Sequence, residues 1–126
     1  MGDDLRQVLG KSGEDVACGE LERRGYAIVA RRYRTRAGEI DIVARDGTTV
    51  VFVEVKTRRH DDFGEPLEAV TARKQRKLTL MALDFLARAK PGPVPCRFDV
   101  VSVRWGRRGG PDIEVVRNAF LAGGWS

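Results

Sequence analysis

The 126 residues predict an α/β domain on a mixed sheet, with elements in the order α-β-β-β-α-β-β. Three observations carry this. Two stretches place apolar residues at helical spacing, five show the alternation or β-branched density of strands, and an Asp-Gly turn joins two of those strands. With 42% hydrophobic and 33% charged residues, the chain reads as one soluble globular domain over 1–126, its ordered core at about 12–120. Folding at this length removes roughly two-thirds of the unfolded surface from water, so neither disulfide nor structural zinc is required.

The first helix is expected over about 13–24. Ser12-Gly-Glu-Asp15 has capping-box spacing ahead of Val16, Ala17 and Leu21, and Gly25 closes the helix. Tyr26 to Tyr33 is free of breakers and forms the first strand, followed by a turn over Thr35 to Gly38. Gly38 to Arg45 alternates, with Ile40, Ile42 and Ala44 on one side and Glu39, Asp41 and Val43 on the other. Asp46-Gly-Thr-Thr49 turns the chain back into Val50 to Lys56, where Val51, Val53 and Val55 oppose Val50, Phe52, Glu54 and Lys56. Thr57 to Val70, with Gly64 and Pro66, is a long loop. A helix then starts at Thr71 as N-cap, carries Leu78, Met81, Ala82, Phe85, Leu86 and Ala89 on one stripe, and stops before Pro91. Arg97 to Arg104 and Ile113 to Phe120 are the last strands, separated by a basic glycine-rich loop from Gly106 to Pro111.

Several function classes drop out. Gly10-Lys-Ser12 matches the end of a phosphate-binding loop, but Leu5 stands where its first glycine belongs and no strand precedes it. His60 is the single histidine, and none of the serines 12, 102 and 126 sits in a Gly-x-Ser-x-Gly elbow, so triad hydrolysis has no support. Cys18 and Cys96 make no CxxC pair, which excludes a zinc cage and fits a reducing, cytoplasmic setting. Acids at Asp3 and Asp4 oppose a signal peptide, and Asp84 interrupts the longest apolar run, so no membrane partner is expected.

The hairpin is where chemistry concentrates. With an even loop, Asp41 and Glu54 share a face. A four-residue loop from Asp46 to Thr49 sets them directly opposite, with Cβ atoms about 5 Å apart, whereas a two-residue loop leaves them diagonal at about 7 Å. Like charges so placed repel and call for a cation, and Mg²⁺ suits a site of one or two carboxylates completed by water and phosphate. Lys56, two residues beyond Glu54 on that face, can position an attacking water or offset charge growing on a phosphate. Glu54-Val-Lys56 alone is equally what any solvent-facing strand displays.

Joint occurrence favours the site. Gly13-Glu-Asp15, Gly38-Glu-Ile-Asp41, Val53-Glu-Val-Lys-Thr57, Phe63-Gly-Glu-Pro66, Glu68-Ala-Val-Thr71, Lys74-Gln75 and Arg97-Phe-Asp-Val-Val101 together resemble the bacterial YraN-like family of uncharacterised proteins, over about residues 12 to 120. That family is similar in pattern to the PD-(D/E)XK nuclease superfamily, which includes archaeal Holliday junction resolvases and type II restriction enzymes. Asp41, twelve intervening residues and Glu54-Val-Lys56 stand at the superfamily's catalytic spacing, with Ile40 in place of its proline. The resemblance implies a restriction endonuclease-like three-layer core. It implies Mg²⁺ or Mn²⁺ on Asp41 and Glu54, with the Val55 carbonyl as a further ligand. Lys56 would be the catalytic lysine, Glu14 a supporting acid, and Gln75 a glutamine near the site.

A nucleic-acid partner is the matching expectation. The 23 Lys plus Arg outnumber the 18 Asp plus Glu, for a net charge of +5 and a pI near 9.7. Residues 23 to 36 hold six arginines and no acid, including Arg34 and Arg36. Arg58, Arg73, Lys74, Arg76 and Lys77 extend the set, the last four near a helix N-terminus where amides also favour phosphate. Nothing has the signature of a base-reading element, so structured or branched DNA, favoured over RNA, is the expected substrate, and a two-fold junction would imply a homodimer. The alternative is a catalytically silent nucleic-acid-binding module of the same fold. A third reading is a partner-binding scaffold.

Overall fold

The computed structural model describes residues 2–59, 70–106 and 110–120, with side chains from Ser12 onward. His60, the Phe63 to Pro66 motif, Glu68, Arg107, Arg108, Trp125 and the side chains of Gly10-Lys11 lie outside the described residues. The elements are α1 (Gly2–Arg23), β1 (Ala27–Thr35), β2 (Gly38–Asp46), β3 (Thr49–Arg59), α2 (Ala72–Ala89), β4 (Cys96–Trp105) and β5 (Asp112–Phe120). They follow the predicted order.

The five strands form one sheet in chain order, β1-β2-β3-β4-β5. Only β3 and β4 run parallel, as a crossover through a helix requires; the other neighbours are antiparallel. A helix lies on each face. Ala17, Cys18 and Leu21 of α1 pack on Ile42, Ala44, Val51, Val53, Val101 and Val103. Leu78, Met81, Ala82 and Phe85 of α2 pack on Val43, Val50, Phe52, Phe98 and Val100. This is a three-layer α/β fold, with β3 covered on both sides, so both of its alternating sets are buried down to Glu54.

The boundaries of α2 are set locally. Thr71 Oγ1 accepts the Lys74 N–H at 3.2 Å, and Lys90 takes a left-handed φ of 47° to end the helix before Pro91. In α1 the structure corrects the expected start. Ser12 is an interior residue, not a cap, because the helix begins at Gly2. A glycine at position 13 costs about 1 kcal/mol in helix propensity, and packing explains it. A Cβ there would run into Thr57 Oγ1 and stand 3.3 Å from Thr57 Cβ, so α1 crosses β3 closely at this point. Gly13→Ala is expected to lose about 1 kcal/mol of stability, overpacking outweighing the propensity gain. In a Thr57→Ala background the same change becomes neutral or stabilising. Urea midpoints of the four proteins of that cycle measure the coupling, and additive effects would contradict the close contact.

The hairpin turn is two residues, Gly47 and Thr48, yet Asp46 faces Thr49 and Ile42 faces Val53. That register equals the one expected of a four-residue loop, because both turns share a centre. The ladder ends at Ile42 opposite Val53, one residue before Asp41 and Glu54, so neither the direct nor the diagonal pairing expected of these acids is part of it. Alternation in β2 also breaks at this point. Ile40, expected beside Ile42 and Ala44, packs instead with Val43 under α2. On the other side of Asp41, the β1 ladder passes from Arg31 opposite Ile42 to Tyr33 opposite Ile40, and Arg32 between them has φ 52°.

Candidate functional site

Asp41 stands where β2 leaves regular pairing. Its Oδ2 accepts the Val55 backbone N–H at 2.7 Å, so a side chain takes over a bond the ladder would otherwise make. Glu54 follows Val50 and Phe52 on the α2 face of β3 and is buried. The two carboxylates line one cleft of about 140 Å³, with Gly38 and Glu39 from β2 and Lys74, Lys77, Leu78 and Met81 from α2. That volume is less than half the ~300 Å³ at which drug-sized pockets begin. An ion with a phosphoryl group fits its scale.

Gly38 keeps the cleft open. It has φ 141°, in the region that favours glycine, and a Cβ there would meet Lys77 Cε at 3.2 Å and Met81 Sδ at 3.4 Å. Across the cleft, Lys74 Nζ pairs with Glu54 Oε1 at 2.5 Å. Among the described residues Lys77 has no such carboxylate partner.

The electrostatics bear on both acids. Burial, then the charge of Glu54, pushes the Asp41 carboxyl up to about 7; the Val55 N–H opposes this, Glu14 adds to it, and Lys74 opposes it. Glu14 reaches this environment from α1 but is held by Arg32 Nε at 2.8 Å, with Arg31 at 3.9 Å. Adjacent strand residues normally point to opposite faces. The left-handed backbone of Arg32 lets it and Arg31 both turn toward α1, where Arg31 also meets Asp15 at 2.6 Å.

The remaining sequence-derived residues are dispersed. Lys56 is half-buried in β3 opposite Ser102, two residues beyond Glu54, and is not among the cleft's lining residues. The Val55 side chain packs at the edge of the α1-side core. Gln75 Nε2 donates to the Val70 carbonyl at 3.1 Å, fixing the entry to α2. Arg73, Arg76 and Lys77 are exposed along that helix start. The arginine run is mostly engaged nearby: Arg23 and Arg24 with Glu20, Arg31 with Asp15, Arg32 with Glu14, and Arg34 with Glu39, while Arg36 is exposed. Arg58 is half-buried in β3. Among the described residues no group of three His, Cys, Asp or Glu comes close enough to hold a metal. None of the described helices is long and apolar enough to cross a membrane.

Sequence reasoning gave no role to a second polar centre. Asp99 on β4 is fully buried, and its carboxylate accepts from Tyr26 Oη at 2.9 Å, Arg97 Nε at 3.0 Å and the Asn118 N–H at 2.9 Å. Arg97 also reaches Asp46 Oδ2 at 2.9 Å, tying the hairpin turn to β4. The signal available was an acid set between Phe98 and Val100 inside a strand.

Three layers around a mixed sheet, with paired carboxylates at the interrupted end of a hairpin, define a class of α/β domain. Residues 13–103 match the uncharacterised protein family UPF0102, and the chain belongs to that family. It is 51% identical over 118 residues to the UPF0102 protein of Symbiobacterium thermophilum, covering 94% of this chain and 100% of that one. Its similarity to the UPF0102 protein of Geobacter sulfurreducens is 48% over 119 residues, with 94% and 93% of the two chains covered. For that of Geotalea uraniireducens it is 47% over 112 residues, with 89% and 88% covered.

Proposed function

We propose that the cleft is a divalent-metal phosphodiesterase site acting on nucleic acid, with structured or branched DNA as the favoured substrate. The observation that carries this reading is the placement of Asp41 and Glu54 in one small cleft, near enough for the charge of Glu54 to raise the proton affinity of Asp41. Such a pair is a poor structural device, since two buried like charges cost stability, and a good donor set for a hard cation. Carboxylates so placed fit Mg²⁺ or Mn²⁺ held jointly with substrate phosphate and water, the usual mode for Mg²⁺.

Asp41 and Glu54 would hold the ion, with the Val55 carbonyl as a further donor. Bound there, it would polarise a phosphoryl oxygen and lower the pKa of a water. Lys56 would orient the attacking water, and Glu14, fixed by Arg32, would add negative potential beside Asp41. Lys77, above Gly38, would contact the phosphate, and Arg73 and Arg76 would follow the backbone on either side. Each phosphate contact lowers binding by about 0.9 log unit per tenfold salt on duplex DNA. Gln75 would act by holding the start of α2 in place.

The placement of Lys56, which is not among the residues lining the cleft, favours one second reading, a nucleic-acid-binding module without turnover. The two separate when purified protein is incubated with supercoiled, single-stranded and branched DNA and with RNA, in Mg²⁺ or Mn²⁺, beside Asp41→Asn and Lys56→Ala. Cleavage reduced at least about 100-fold by either substitution supports the nuclease, in the range associated with loss of a catalytic group. Salt-sensitive binding without cutting supports the module. Neither binding nor cutting refutes both.

A further inference from the structure

We propose that Lys74 is a resident counterion of the acidic pair, which releases Glu54 when a divalent cation enters and then takes the substrate phosphate. Metal loading and phosphate capture are thereby coupled through one side chain. The inference rests on the reading of the cleft as a metal-dependent site.

The first support is charge accounting in the cleft. Glu54 keeps only 11% side-chain exposure, and a buried carboxylate beside Asp41 needs a cation. Arg31 and Arg32 are engaged by Asp15 and Glu14, and Arg34 by Glu39. Lys74 is the cation paired with Glu54, and its side chain retains 39% exposure on a flexible four-carbon stem. It can swing out without disturbing the core.

The second support is independent of the acids. The first turn of α2 contains no acidic residue and carries Arg73 and Lys74, with Arg76 and Lys77 close behind. Cations at a helix N-terminus oppose the helix dipole, so the sequence here contradicts its own local preference. Conflicts of that kind concentrate at functional positions. With a doubly charged ion between Asp41 and Glu54 the pair is neutralised. The Lys74 ammonium then loses its attraction to Glu54 and adds to a cationic rim that matches an incoming phosphate.

The test is Mn²⁺ binding by titration calorimetry on the full chain at pH 8.5 without nucleic acid, for wild type, Lys74→Gln, Lys74→Arg and Glu54→Gln. Lys74→Gln is expected to bind Mn²⁺ about tenfold more tightly than wild type, because the competing ammonium is gone. Lys74→Arg, able to hold Glu54 through two parallel bonds, binds it more weakly. Melting temperature gives a second readout, in which saturating Mn²⁺ raises Lys74→Gln by more than it raises wild type. Equal or weaker binding by Lys74→Gln, with Glu54→Gln binding none, overturns the counterion role and leaves the metal site standing. Absence of Mn²⁺ binding in both wild type and Lys74→Gln overturns the metal reading itself.

Discussion

Asp99→Ala is expected to cost about 3–5 kcal/mol, because it removes one partner from a buried ionic network and strands the others. Three residues converge on that carboxylate. Tyr26 Oη, Arg97 Nε and the Asn118 N–H bond it directly, and Arg97 lies over the Tyr26 ring at 5.5 Å. Burial, then the Asp99 bond, pushes the Tyr26 hydroxyl above its usual range, so the phenol stays a donor. Truncation leaves the Arg97 guanidinium, only 13% exposed, with Asp46 as its remaining acid. Asn118 holds a left-handed φ of 53°, and its N–H loses the bond that compensates it. Asp99→Asn keeps one acceptor oxygen and is expected to lose less. Urea unfolding of the two variants measures the difference, and a loss under about 1 kcal/mol for the alanine would mean that the network is dispensable. Asp99 pairs with Val53, beside Glu54, but faces the α1 side of the sheet, away from the cleft.

Asp41→Asn should do the reverse and stabilise the metal-free protein. The Asp41 carboxyl is raised from an ordinary 3.8 to about 7, first by burial and then by Glu54. Between those two values the native state holds a proton that the unfolded chain has released. Stability is therefore greatest below pH 4 as far as this group is concerned, and falls as pH rises through 7. Asparagine resembles the protonated acid, and its carbonyl can still accept the Val55 N–H. Variant and wild type should be nearly equal at about pH 4, near the unfolded value. At pH 8 the variant should be more stable by ~2 kcal/mol, below the full ~1.4 kcal/mol per pH unit because its amide brings N–H groups into an acidic cleft. Denaturant midpoints at the two pH values decide it. A stability difference that does not change with pH would mean that Asp41 is ionised throughout.

Local chemistry made much of the fold legible. The Thr71 cap, the stripe from Leu78 to Phe85 and Pro91 bound α2, and Asp46-Gly47 announced the hairpin whose ladder runs up to Ile42 and Val53, next to Asp41 and Glu54. Tertiary contacts hid the rest. Ser12 looks like a cap, but the close passage of α1 over Thr57 explains Gly13 inside a longer helix. Alternation assigns Ile40 to the wrong side, because it assumes an unbroken strand where Asp41 bonds Val55. The arginine run reads as a phosphate track until acids from α1 and β2 meet it. Lys74 was visible as a basic residue, but its pairing with Glu54 joins α2 to β3 and has no local signature.

The irregular course of β1 also bears on aggregation. Among the described residues this strand ends the sheet, so its outer hydrogen-bonding groups have no strand partner there. A register shift between Ile28 and Ala30 and the left-handed Arg32 spoil it as a flat template, and exposed guanidinium groups along it repel a second copy of the same edge. Sheet extension into fibrils is discouraged on that border.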